Sequence, residues 1–228
     1  MSRTIKITGM AEIMYQRMEE SWQTSPRVTY SMSAETGAAD TFIKGFNEAH
    51  AHENLKMNYN HILMKACALA SKKYELFNSS IESGEIVVHD EINIGLAVAT
   101  EKGLLVPNVK KVDQRGFEEL CEEVSRIIGG ARAMGLSYDD ICGGTFTITN
   151  LGMYGIERFT PIINQPEVAI LGVSRIYEKL VMEGGEILQK RYMPLDLVAD
   201  HRIIDGALAA SYLNEVKGFL EAPERLMD

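Results

Sequence analysis

The chain is poor in cysteine, in positive charge and in long apolar runs. Its three cysteines, Cys67, Cys121 and Cys142, are odd in number and lack metal-ligand spacing. Neither a disulfide framework nor a zinc site is expected, and they read as small core residues of a chain kept in a reducing compartment. With 23 Lys and Arg against 32 Asp and Glu, the net charge is −9. No basic stripe is present to neutralise phosphates, which argues against a nucleic-acid partner. No segment approaches the roughly 20 consecutive apolar residues of a membrane span. The opening MSRTIKITG carries no apolar run long enough for a signal peptide, so a cytoplasmic chain is expected. No Gly-x-Gly-x-x-Gly follows a strand and no Gly-Lys-Ser/Thr occurs, which removes two common kinds of nucleotide-phosphate chemistry.

What remains is ordinary globular material: 228 residues, 46% hydrophobic and 24% charged, enough to bury a sizeable core. With no linker, repeat or shift of composition, a single domain over 1–228 is expected.

Periodicity supplies the elements. Ile13, Met14, Arg17, Met18 and Trp22 recur at helical spacing, and Ser25-Pro26 ends that helix before RVTYSMSAE alternates like a strand. Helices are expected over 40–50 and 59–74, the second with an apolar stripe and Asn58 or Asn60 as its cap. Strands follow at 85–89, at 91–100 and after a turn around 101–103. A long amphipathic helix covers 117–134, with Leu120, Val124, Ile127, Ile128 and Ala131 on one face. The segments 145–152, 167–182 and 186–200 read as strands, the last two joined at Gly184-Gly185, and a helix over 207–220 closes the chain. Hairpins of this kind imply an α+β fold with a mixed or antiparallel sheet flanked by helices.

Of the five histidines, His50, His52, His61 and His89 lie among polar neighbours and read as surface residues. His201 is different, because DHRIIDG (200–206) packs four polar side chains around two isoleucines at a strand-to-helix junction. On residue chemistry alone, Asp205 is a good N-cap for the last helix and Arg202 a partner for Asp200.

DHRIIDG is also similar to the His-x-x-x-Asp-Gly signature of the acyltransferase (E2) subunits of 2-oxo acid dehydrogenase complexes. Their catalytic-domain fold is shared with chloramphenicol acetyltransferase. The resemblance runs through GMAEIMYQRM, SPRVTYSM, FNSSI (77–81), NIGLAVATEKGLLVPNVKKVD (93–113) and GGTFTITNLGMYGIERFTPIINQPEVAILGVSRI (143–176), and so spans essentially the whole chain.

The resemblance implies transfer of an acyl group, acetyl favoured, between dihydrolipoamide and coenzyme A. His201 is then the general base toward the attacking thiol. An imidazole of pKa about 6.5 facing a thiol near 8.5 makes that proton transfer only mildly uphill. Thr149 is the implied donor to the carbonyl oxygen as charge builds there, and Asp205 supports His201 or an arginine while holding the turn. No cofactor-binding residue and no metal ligand is assigned. The family's lipoyl-domain Asp-Lys-Ala turn is missing, so no lipoyl or peripheral-subunit-binding domain is expected here and the lipoyl group rides on another domain or chain. The implied partners are two further copies in a homotrimer, a larger cubic or dodecahedral core, a lipoyl domain and the dehydrogenase subunits. Arg27 departs from the pattern, standing where a histidine is usual, as do Ala11 and Glu12, where basic residues are usual. Two other readings stay open at this point: O-acetyl transfer from acetyl-coenzyme A to a small hydroxyl compound, and a non-catalytic core subunit.

Overall fold

The structure, a computed structural model, describes residues 2–53 and 55–227; Met1, Asn54 and Asp228 of the expected 1–228 domain lie outside the described residues. Among the described residues, six α-helices are interleaved with eleven strands: α1 (Met10–Thr24), β1 (Arg27–Glu35), α2 (Gly37–Ala49), α3 (Tyr59–Lys73), β2 (Ser79–Glu82), β3 (Glu85–Val88), β4 (Ile94–Leu96), β5 (Val98–Thr100), β6 (Gly103–Leu105), β7 (Asn108–Val109), α4 (Phe117–Ala133), α5 (Tyr138–Ile141), β8 (Phe146–Asn150), β9 (Ala169–Val173), β10 (Tyr177–Glu183), β11 (Glu186–Asp200) and α6 (Gly206–Glu221).

The main sheet runs β1-β11-β9-β8-β4-β7, with β10 also paired to β11. It is mixed: β8 lies parallel to β4 and β9, and the other pairs are antiparallel. The expected α+β class therefore holds. β11 changes neighbours along its length. Residues 186–192 pair with β10 across the Gly184-Gly185 turn, where φ values of 60° and 87° suit glycine. Residues 195–199 then lie between β1 and β9.

Alternation along β11 separates two faces. Leu195, Leu197 and Ala199 join Phe146, Ile148, Leu171 and Val173 in the main core beneath α3 and α6. There Tyr212 of α6 is fully buried and stacks on Phe77 with ring centroids 3.8 Å apart. The other face holds a small cluster of Ile163, Ile170 and Val198 among polar residues. By alternation, Thr149, Gly172 and Asp196 share this face.

Three expectations need correction. The 91–100 strand is two pieces: Ala97 N–H completes the β4–β8 pairing at Ile148 O (2.9 Å), and the chain then leaves the main sheet so that β5 pairs with β6 instead. The 167–182 strand also divides, since Arg175 N–H turns to Ile156 O at 2.7 Å. His61 is not a surface residue. It is 2% exposed, and its Nδ1 accepts from Asn58 N–H in the capping box that starts α3. Burial pushes its pKa down.

Candidate active site

Thr149 sits at the end of β8, half-buried, beside a cleft of about 350 Å³. Leu96, Val98 and Leu104 form an apolar wall of this cleft, Tyr59 and Asn60 bring in the start of α3, and Arg132 stands on its rim. The floor is tied down locally. Asn150 Nδ2 donates to Asn60 Oδ1 at 2.9 Å, and Asn150 Oδ1 accepts from Gly152 N–H at 2.9 Å. These bonds hold the strand end that carries Thr149 against the N-terminus of α3. A β-branched residue in an extended strand has few rotamers, so its hydroxyl direction is narrowly set.

His201 lies beyond the other end of the sheet, directly after β11, and is exposed. Its backbone N–H donates to Pro26 O at 2.8 Å, which fastens the turn to the start of β1. The residues around it are anchored more deeply. Asp200 is 1% exposed and receives Arg202 at three points: Nε to Oδ1 at 3.0 Å, Nη2 to Oδ2 at 2.6 Å, and backbone N–H to Oδ1 at 3.0 Å. Burial opposes the Asp200 charge, but these bonds from Arg202 together hold its carboxyl below the usual range. Removing Arg202 would leave a buried, unpaired charge, the costly case. Arg27, opposite Asp200 in the β1–β11 register, lies near enough to feel that carboxylate's charge but makes its own contacts with Trp22. Its guanidinium lies 3.8 Å from the Trp22 ring centroid and donates to Trp22 O at 2.7 Å.

Asp205 caps α6 through Leu208 N–H to Oδ1 at 2.8 Å, as the capping reading expected. Among the described residues the contact of its carboxylate is with this helix terminus rather than with an arginine, so within one chain Asp205 holds the turn that presents His201.

The register fixes how far apart the candidates are. Thr149 pairs with Gly172 of β9, and Gly172 pairs with Asp196 of β11. His201 follows Asp196 by five residues. With about 3.3 Å per residue along a strand and about 4.8 Å between strands, Thr149 and His201 of one chain are roughly 15–20 Å apart. The fold does not bring them together within a single copy.

Two features escaped sequence reasoning. Gly172 leaves a gap beside Thr149, and Asp196 places a carboxylate in the same row, inside a strand segment (193–200) that is buried throughout. Asp196 had one available signal, a charge at the centre of an otherwise apolar run.

The family described as 2-oxoacid dehydrogenases acyltransferase (catalytic domain) matches residues 1–228. The acetyltransferase component of the acetoin cleaving system of Bacillus subtilis is 35% identical over 227 residues, covering 99% of this chain and 57% of the relative. This chain spans about half the length of the curated relatives it matches, 57% and 51% for two from B. subtilis. Among solved structures, dihydrolipoamide acetyltransferase of Azotobacter vinelandii superposes with a TM-score of 0.95 at 34% identity, covering 100% of this chain and 95% of that one. That enzyme was studied for the role of a serine, a histidine and an asparagine in its catalytic mechanism. The cubic core of a pyruvate dehydrogenase multienzyme complex also gives 0.95, at 33% identity and with the same coverages. Chloramphenicol acetyltransferase, 16% identical over 96% of this chain and 100% of its own with a TM-score of 0.57, shares the fold.

Proposed function

The chain belongs to the family of 2-oxoacid dehydrogenase acyltransferase catalytic domains, and we propose that it moves an acetyl group between dihydrolipoamide and coenzyme A at a site formed by two copies of itself. The acetyl assignment is supported by the relatives, which are named as acetyltransferases.

One observation carries the residue assignment. In the Azotobacter chain the serine precedes the histidine by 52 residues and the asparagine follows it by 4. Thr149, His201 and Asp205 stand at the same separations here. Threonine preserves the hydroxyl of serine, and aspartate preserves the side-chain carbonyl geometry of asparagine.

The chemistry follows from these groups. The His201 imidazole takes the proton of the coenzyme A thiol as the sulfur attacks the thioester carbonyl of acetyl-dihydrolipoamide. The Thr149 hydroxyl donates to the oxygen on which negative charge develops, a contribution of about 3 kcal/mol for one such donor. Collapse breaks the bond to the lipoyl sulfur, which takes the proton back from the imidazolium. Acetyl-coenzyme A and free dihydrolipoamide result, and the same groups serve the reverse direction. The apolar cleft beside Thr149 suits the uncharged arm of a thioester substrate and limits water near the reacting carbon.

Because Thr149 and His201 lie roughly 15–20 Å apart in one chain, the histidine has to come from a neighbour. A heterologous contact that closes into a ring does this with a trimer, and the likeness to a cubic core supports trimers built into a larger shell. In that setting the lipoyl group arrives on another domain or chain from cytoplasmic 2-oxo acid dehydrogenase partners.

The test is complementation. His201→Ala and Thr149→Ala chains, each strongly impaired alone, are unfolded together and co-assembled. About a quarter of the interfaces in a random equal mixture then pair an intact histidine with an intact threonine, and activity returns to that level. Mixtures as impaired as their parents would place both residues in one subunit's site or outside the mechanism.

A further inference from the structure

On the polar face of the sheet, Thr149, Gly172, Asp196 and Ser31 form one row across four neighbouring strands. Asp196 is 1% exposed, which an isolated carboxylate does not tolerate. Its Oδ1 receives Arg158 Nη1 at 2.9 Å and Ser31 Oγ at 2.5 Å, while its Oδ2 has no partner among the described residues. Arg158 comes from the long irregular stretch after β8 and also reaches Ser33 Oγ at 3.4 Å.

The residues after Arg158 occupy the gap that Gly172 leaves. A Cβ on Gly172 would meet Pro161 Cδ at 3.1 Å and Phe159 Cζ at 3.2 Å. Gly172 stands directly opposite Thr149, so these rings lie on the Thr149 side of the sheet. The segment's other fixings nearby are Thr29 Oγ1 to Thr160 Oγ1 at 3.3 Å, Arg175 N–H to Ile156 O at 2.7 Å, and an exposed ion pair between Arg175 and Glu157. Of these two charged contacts, the one to Asp196 reaches a buried carboxylate and anchors the wall beside Thr149.

We propose that Arg158 and Asp196 are a positioning pair, whose half-buried ion contact clamps residues 158–161 onto Gly172 and so fixes the surroundings of the Thr149 hydroxyl. The inference rests on the reading of Thr149 as the oxyanion donor. Neither residue touches the reacting atoms. Their effect is to hold the donor in line, and small misplacements of such groups are expensive in rate.

The experiment compares Arg158→Met, Arg158→Lys and Arg158→Met/Asp196→Ser, alone and with Thr149→Ala, in the assembled chain. Arg158→Met lowers kcat by about tenfold to a hundredfold with KM for coenzyme A within about twofold, and Arg158→Lys recovers most of the loss. The double variant, which buries no unpaired charge, shows the same kcat loss even if Arg158→Met alone fails to fold. In the Thr149→Ala background, Arg158→Met causes no further loss, because the group being positioned is gone. An undiminished kcat in the double variant, or losses that multiply in that background, overturn the clamp alone. A Thr149→Ala chain with ordinary turnover overturns the clamp and the underlying reading together.

Discussion

Gly172 faces Thr149 across the parallel β8–β9 pair, and the space its missing side chain leaves is filled from above by Pro161 and Phe159. A glycine inside a fully buried strand marks a close approach of other groups. Here those groups border the proposed oxyanion donor.

Gly172→Ala is expected to push that wall outward, because its Cβ would also come within 3.3 Å of Asp196 O, a backbone atom that cannot swing away. Overpacking of this kind costs about 1–3 kcal/mol. Equilibrium denaturation should show that loss, and steady-state kinetics on the folded protein should show lower kcat.

Thr149→Ala is expected to lower kcat by about a hundredfold to a thousandfold while KM for coenzyme A changes little, since the donor acts on charge present only in the transition state. Thr149→Ser should keep most of the rate. A Thr149→Ala chain whose KM rises at constant kcat would assign the hydroxyl to substrate binding instead.

Asp205 is an N-cap, so its variants should sort by capping ability. Asp205→Asn keeps an oxygen for Leu208 N–H and is expected to retain both stability and activity. Asp205→Ala should cost about 1 kcal/mol, or about 2–4 °C in melting temperature for a chain of this size. Its turnover should fall as well, because the cap holds the turn bearing His201. Thermal melts and initial rates on the two variants decide the matter.

Glu167 is 4% exposed and accepts from Thr147 Oγ1 and Asn164 Nδ2, both at 2.9 Å, but burial raises its pKa to about 7. The native state therefore holds a proton there that the unfolded chain releases near pH 4–5. The stability associated with that proton is complete below the unfolded pKa and fades as pH rises through about 7. Glu167→Gln removes the effect, and the variant should gain on the parent by on the order of 2–3 kcal/mol between pH 5 and pH 8. Denaturation midpoints at those two pH values test this; parallel pH profiles for the two chains would refute it.

Much of the fold was legible because short-range periodicity reports it. α4, read over 117–134, spans Phe117–Ala133, and the closing helix read over 207–220 spans Gly206–Glu221 and buries Tyr212, Val216, Phe219 and Leu220. The divided strands were not legible, because what divides them is a change of partner: β4 pairs with the distant β8 while β5 pairs with β6, and Arg175 N–H turns to Ile156 O. The exposed stripe of α1 was equally hidden. Ile13, Met14 and Trp22 are 57%, 41% and 64% exposed, and spacing alone does not say whether anything covers a face.

The sequence by itself determined the class of elements, the cap at Asp205, the glycine turn and, through its likeness to a family, which side chains to inspect. These depend on backbone sterics and on neighbours within a few residues. Only the tertiary structure decided that Thr149 and His201 occupy opposite reaches of one sheet, that Gly172 opens a gap filled by a distant loop, and that Asp196 meets Arg158. Each of those depends on strand register and burial, which arise when segments far apart in the chain pack together and which no local pattern of residues encodes.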